Sequence, residues 1–380
     1  MLDIAVVAPG QTIWTLANAY GVTAEQIAAL NGLADPSRLT PGQALVVPAA
    51  GSRPRASIET NAYLQPSNPE RDRRLVAETE QSLTYYSVFE YKVRADGSLE
   101  APDDEVALQA ISETAAVPMM VVANFEEGNF SPAITRAIFS DPAIRQRTID
   151  GIAQTMADKG YRAINIDFEN LYPDDRDAYS DFLRDLTERL HGEGYIVSSA
   201  LAPKTSAEQV GSWYEGHDYR AHGEIVDFVI IMTYEWGWSG GPPMAVAPLP
   251  QVRQVLEYAL SEIPAHKIMM GAPLYGYDWT LPFIPGGKWA RVVSPQAAVE
   301  QAVRVGAYIR YDEVAQAPYY HYYDENGAEH VVWFEDARSM QAKFDLLKSL
   351  GLRGISYWVL GNPFPQNWAL LPDNFDIQVI

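Results

Sequence analysis

From Ile58 onward, short apolar runs alternate with stretches in which apolar residues recur every third or fourth position. The runs are Asn61–Leu64, Thr84–Val88, Met119–Ala123, Ala163–Phe168, Ile196–Ala200, Phe228–Tyr234, Ile268–Leu274 and Gly354–Val359. Eight such runs, spaced by helical stretches, predict parallel strands with return helices in a closed (β/α)8 barrel of the α/β class. The clearest helix follows the fourth run: Tyr179, Phe182, Leu183, Leu186 and Leu190 fall on one stripe, and Gly192 and Gly194 stop it. One interval breaks the rhythm. About sixty residues, Tyr275–Glu335, separate the seventh strand from its helix at Asp336–Leu350, far more than an ordinary connection. They contain the strand-like pieces Ile309–Tyr311, Tyr319–Tyr323 and Val331–Phe334, the last two joined by the turn Asp324-Glu325-Asn326-Gly327. This predicts a small α+β insertion after strand 7, at about 276–335, forming one wall of a cleft.

Residues 1–48 carry a different pattern. A short strand, Ile4–Val7, precedes a helical stretch, Ile13–Tyr20, that Gly21 ends. Thr23, with Gln26 three residues on, caps a second helix reaching Leu30. Pro41-Gly42-Gln43 then turns into the strand Ala44–Val47. The order is βααβ. Residues 49–57 are small, basic and Pro-containing and read as a linker, leaving 58–380 for the barrel.

Composition narrows the function. The 380 residues carry 49 acidic and 28 basic side chains, a formal charge of −21, which disfavours nucleic acid and anionic membranes as partners. There is no cysteine, and the six histidines fall in no ligand cluster, so neither a metal nor another cofactor is expected. No stretch approaches the roughly 20 apolar residues of a membrane span, and no basic-then-apolar leader opens the chain. The 22 Tyr, 12 Phe and 9 Trp offer flat faces suited to sugar rings as well as to cores.

The chemistry concentrates on the fourth strand. In Ala163-Ile164-Asn165-Ile166-Asp167-Phe168-Glu169-Asn170, alternation sends Ile164, Ile166 and Phe168 toward the helices and Asn165, Asp167 and Glu169 into the barrel. Inward barrel positions are ordinarily branched and apolar, and burying unpaired carboxylates costs several kcal/mol, on the order of other isolated buried charges. The series also climbs to the C-terminal end of the strand, where barrel active sites sit. Asp167 and Glu169 lie about 6–7 Å apart along one strand, on one side of any bound sugar. They cannot flank a glycosidic bond as acid and nucleophile. Their repulsion retains one proton on the pair near neutral pH, leaving Glu169 able to donate it. A substrate 2-acetamido oxygen can serve as the nucleophile. On the sixth strand, Tyr234 at the mouth can hold that acetamido oxygen, and Met232 either lines the sugar pocket or packs in the core. Trp358, on the eighth strand, is a sugar platform or packing.

Two resemblances follow from these residues. Gly10-Gln11-Thr12-Ile13-Trp14, Leu30-Asn31 and Leu39-Thr40-Pro41-Gly42-Gln43 resemble a LysM domain, a glycan-binding module. The resemblance implies a sugar groove at Gly10, Gln11, Thr12, Ile13, Leu39, Thr40 and Pro41. The barrel resembles glycoside hydrolase family 18, a TIM-barrel family that reads D-x-x-D-x-D-x-E on the fourth strand, M-x-Y-D on the sixth and Trp on the eighth. Here those positions hold Arg162, Asn165, Asp167 and Glu169, then Met232, Tyr234 and Glu235, then Trp358. The acid and its partner are kept, whereas an amide replaces the inner Asp and Glu235 replaces an Asp. The resemblance implies a retaining, substrate-assisted reaction. Glu169 acts as acid and then base, Asp167 and Tyr234 orient the acetamido group, and Asn165, Met232, Glu235, Trp358, Asn124 and Tyr63 form the binding set, Tyr63 bordering the pocket or packing. Gly271–Trp279, Tyr311-Asp312-Glu313, Trp333–Asp336 and Gly354–Gly361 make the branch similar to bacterial spore cortex-lytic N-acetylglucosaminidases. This implies peptidoglycan or another N-acetylglucosamine-containing glycan as partner, and a spore cortex, coat or cell-wall location. A chitinase, an endo-β-N-acetylglucosaminidase or a non-catalytic glycan-binding protein are the alternatives.

Overall fold

In the computed structural model, which describes residues 1–380, eight parallel strands close on themselves. They are Ala56–Leu64, Tyr85–Val93, Val117–Ala123, Ala163–Asp167, Ile196–Leu201, Phe228–Ile231, Ile268–Pro273 and Gly354–Trp358. Each pairs with the next, and the first also pairs with the eighth through Gly354↔Glu59 to Tyr357↔Ala62, which closes the barrel. The alternation of the strands divides the apolar side chains in two. Ile164, Ile166 and Phe168 face the helix layer, while Tyr85, Val121, Phe228 and Ile230 fill the barrel interior. A short strand near the C-terminus, Phe375–Ile377, pairs with the start of the first barrel strand, an element the pattern did not suggest.

The interval after the seventh strand folds as a five-stranded antiparallel sheet, in the order Arg291–Val293, Gly276–Thr280, Glu329–Trp333, Ala317–Tyr323, Arg310–Asp312, with a helix at Pro295–Val305. Its own core gathers Val293, Ala298, Ala302, Ile309, Tyr320, Val332 and Phe334. Three of its strands fall where the sequence pattern put them. The other two, Gly276–Thr280 and Arg291–Val293, had given no separate signal, because the first continues a barrel-strand run and the second has three residues.

At the N-terminus, Leu2–Val6 pairs antiparallel with Ala44–Pro48, and helices Ile13–Tyr20 and Ala24–Asn31 pack on the pair. Thr12 and Thr23 close capping boxes, and Gly21 and Gly32 end the helices in the left-handed conformation. This unit is docked on the barrel. The Gln366 amide donates to Asn31 Oδ1 and to the Ala44 carbonyl, both at 2.8 Å. Arg338 donates to the Gly42 carbonyl, and the Ile309 amide donates to the Pro41 carbonyl at 3.0 Å. Gly42 must stay glycine here, since it has φ +82° and a Cβ would lie 1.7 Å from the Ile309 oxygen. The segment read as a linker is pinned too. Arg53 bonds Gln341 and Asn374, Arg55 pairs with Asp376 at 2.9 Å, and Ala56 already opens the first barrel strand. No helix is long and apolar enough to cross a membrane.

Candidate active site

The strand ends open into a cleft of about 1150 Å³, with Asp167 and Glu169 on its floor. Asp167 is the last residue of the fourth strand, and Glu169 stands just beyond the ladder. Asn124, following the third strand, fixes that overhang. Its Oδ1 accepts from the Glu169 amide and its Nδ2 donates to the Glu169 carbonyl, both at 2.9 Å. Behind Phe168, the buried His217 receives the Ala202 amide on Nδ1 and bonds the Phe168 carbonyl through Nε2 at 2.8 Å. That ring is held neutral, its pKa pushed down to about 4 by burial.

The two carboxyls are buried and share one electrostatic environment. Burial, with the Glu90 carboxylate adding to it, raises Asp167 to about 7. Burial and the nearby Asp167 charge raise Glu169 well above the ordinary carboxylate range, against an opposing hydrogen bond from Trp213. The Trp213 indole N–H donates to Glu169 Oε2 at 2.6 Å. Asp167 Oδ1 is buried without a partner, an acceptor left open toward a donor.

Around this pair, Tyr63, Met232, Tyr234, Glu235 and Trp358 line the cleft, as do Trp236 and Tyr214. Tyr63 and Trp358 meet edge-on at 5.2 Å, and Phe89 packs on the same indole at 4.8 Å. Glu235, at φ +69°, accepts hydrogen bonds from the hydroxyls of Tyr275 and Tyr277 at the root of the insertion. The insertion therefore forms one wall, and its Trp289 meets Trp238 of the loop after the sixth strand edge-on at 5.9 Å.

Asn124 and Asn165, counted among the binding residues, lie behind the wall rather than on it. Asn124 is spent on the Glu169 backbone. Asn165 is fully buried, accepting from the Tyr63 hydroxyl at 2.9 Å and donating to Ser198 Oγ at 3.0 Å. Among the cleft residues that escaped the sequence pattern, Trp213 and Glu90 stand beside the carboxyl pair. Trp213 comes from the loop after the fifth strand, 44 positions from its partner, and only its aromatic character in a βα loop hinted at it. Glu90 is treated below.

In the N-terminal unit, Gly10 and Thr12 are exposed, Gln11, Leu39 and Pro41 half-buried, and Ile13 and Thr40 buried. Thr40 Oγ1 donates to the Ala307 carbonyl and the Pro41 carbonyl is taken by Ile309. The Thr40–Pro41 side of the expected groove thus lies against the insertion, and the open side is Gly10–Thr12 with the exposed Trp14.

With this geometry in hand, comparisons with known proteins are direct. The family model of the glycosyl hydrolases family 18 matches residues 106–362, and that of the LysM domain matches residues 5–48. The cortical fragment-lytic enzyme of Bacillus subtilis (strain 168) is 48% identical over 426 residues, covering 99% of each chain. That of Bacillus anthracis is 46% identical at the same coverage. The crystal structure of the Bacillus cereus spore cortex-lytic enzyme SleL superposes with a TM-score of 0.96 at 41% identity, covering 100% of this chain and 99% of that one. A chitinase from Chromobacterium violaceum ATCC 12472 is more distant, with a TM-score of 0.77, 26% identity and 83% of this chain covered.

Proposed function

Because the chain belongs to family 18 of the glycosyl hydrolases, we propose that this glycosidase hydrolyses peptidoglycan of the spore cortex, cutting β-1,4 bonds after N-acetylglucosamine with retention and with the help of the substrate's own acetamido group. What carries the chemistry is the one-sided pair of buried carboxyls holding a proton into the neutral range. What supports the substrate is likeness along the full chain to cortical fragment-lytic enzymes. The location proposed with it is the spore cortex or cell wall.

In this reading Glu169 gives its proton to the glycosidic oxygen as the C1–O bond breaks. The acetamido carbonyl oxygen attacks C1 from the opposite face and closes a five-membered oxazolinium ring. The positive charge of that ring spreads over the N–H, which the unpartnered Asp167 Oδ1 accepts. Tyr234, on the cleft wall, holds the acetamido group in the attacking pose. Glu169, now anionic, takes a proton from the water that opens the ring, so both displacements at C1 together retain configuration. Met232 and Trp358 shape the pocket of this sugar, Glu235 meets its neighbour, and the Gly10–Thr12 edge holds more distant glycan.

The test is a digest of spore cortex, vegetative sacculi and chitin oligomers by wild type and Glu169→Gln, read by mass spectrometry. Cortex fragments with reducing N-acetylglucosamine ends, absent with the variant, are expected. Cleavage of chitin oligomers alone would make the protein a chitinase. Binding without any product would make it a glycan-binding protein.

A further inference from the structure

The second barrel strand breaks its own alternation. Val88 pairs with Met120 and Tyr91 with Val122, so Phe89 and Glu90 together stand opposite the single residue Val121. Such a bulge turns two successive side chains to one side and shifts the phase of everything after it. Before it, Tyr85 and Ser87 point into the barrel, Ser87 bonding Asn61, and Phe89 follows them onto Tyr63 and Trp358. After it, Tyr91, which unbroken alternation would send inward, sits in the helix-facing core with its hydroxyl on Asp104. Glu90 takes the inward place and lines the same cleft as Asp167 and Glu169. Its Oε2 is buried without a hydrogen-bond partner, and the nearest cation, Lys92 on the same strand, stands 3.9 Å from Oε1.

We propose that Glu90 is a positioning residue whose charge, two strands round the barrel from Asp167 and in the same cleft, keeps the proton on the Asp167–Glu169 pair. The proposal rests on the glycosidase reading of the site. An ionised Glu90 makes the loss of a proton from Asp167 an encounter of like charges in a site with little water to screen it. The other groups around the pair do not offset this. Tyr63 on the first strand, Tyr179 on the helix behind the fourth, and Tyr234 after the sixth are held neutral by burial, which also raises the proton affinity of Glu235. Burial likewise raises Glu90, and Lys92 beside it opposes that and favours its charged form. Glu90 need not touch the sugar for this; it acts through Asp167.

An infrared titration of the substrate-free protein reads the pair without turnover. The Asp167 carboxyl signal is identified by its loss in Asp167→Asn. Its midpoint is expected to fall by about one unit or more in Glu90→Gln and to stay in place in Glu90→Asp. The limb of kcat/KM on the cleaved glycan that follows Asp167 moves by the same step in Glu90→Gln, with KM unchanged. A Glu90→Gln midpoint that coincides with wild type would overturn the proposal, as would a raised KM with an unmoved limb, the signature of a sugar contact. If wild type cleaves no glycan, the functional reading fails, while the titration still decides what Glu90 does to Asp167.

Discussion

In the proposed reaction Glu169 is an acid in the first half and a base in the second, so its proton affinity has to sit between those demands. Burial and Asp167 push it up, and the Trp213 indole, bonding the charged form, pulls it down. Trp213→Phe keeps the ring and removes the donor, a loss of roughly 1.5–3 kcal/mol for a bond to a charged group. The alkaline limb of the pH–rate profile is then expected to move up by about one to two units, and kinetics across pH 5–9 check it. Asp167 gives a second outcome. Below the ordinary carboxyl value of 3.8 both folded and unfolded chains hold its proton; between there and about 7 only the fold does, so stability is lost as pH rises through that window. Asp167→Asn removes the loss, on the order of a few kcal/mol. Thermal melts should show the variant more stable than wild type at pH 8, with the gap closing toward pH 4. A variant equally stable at both would mean that the carboxyl is not held protonated by the fold.

At the scale of strands and loops, what could be read in advance was whatever obeys a fixed period. Asn165, Asp167 and Glu169 alternate with Ile164, Ile166 and Phe168 without interruption, so their inward direction was legible. Glu90 was not, because one extra residue reverses the phase of its strand and nothing in Val88-Phe89-Glu90-Tyr91 announces it. Trp213 was not, because loops have no period and its partner is remote in sequence. The contact between strands six and seven shows how closely the site depends on its scaffold. A Cβ on Gly271 would lie 2.4 Å from the Ile231 carbonyl and 2.9 Å from the Tyr234 ring. Gly271→Ala therefore has to shift the sixth-strand end, the Ile231 carbonyl and the Tyr234 ring together. A misplacement near 1 Å lowers kcat by roughly 100-fold, while circular dichroism should report the barrel intact. Unchanged kcat would remove Tyr234 from the reaction.

Over the whole molecule, the N-terminal unit is fastened to the insertion through Thr40 and Pro41, to the helix Ala337–Leu350 through Gly42, and to the helix Pro365–Asn374 through Asn31 and Ala44. The fold of that unit was readable from its caps and turns, whereas its docking was not, since backbone carbonyls and polar side chains such as Gln366 and Arg338 leave no hydrophobic signature. With both faces of the contact buried and hydrogen-bonded, the unit and the barrel are expected to unfold together. Calorimetry should give one transition, and a separate low-temperature transition would show an independent tethered module instead. Docking also fixes where the open Gly10–Thr12 edge stands relative to the cleft, so a glycan proposed to bind there would meet the cleft in a set register.

The proposed reaction turns on its nucleophile, since Asp167 and Glu169 stand at the end of one strand, on one side of the proposed sugar site, and the acetamido oxygen is assigned the attack from the other. A series of substrates whose acetamido methyl carries zero, one, two or three fluorines tests this most directly, because fluorine withdraws electrons from that oxygen and leaves enzyme carboxylates untouched. The prediction is a kcat/KM that falls steeply, by orders of magnitude, as fluorines are added. A flat series, with all substrates cleaved alike, would mean that a carboxylate of the protein attacks C1 and would contradict the mechanism.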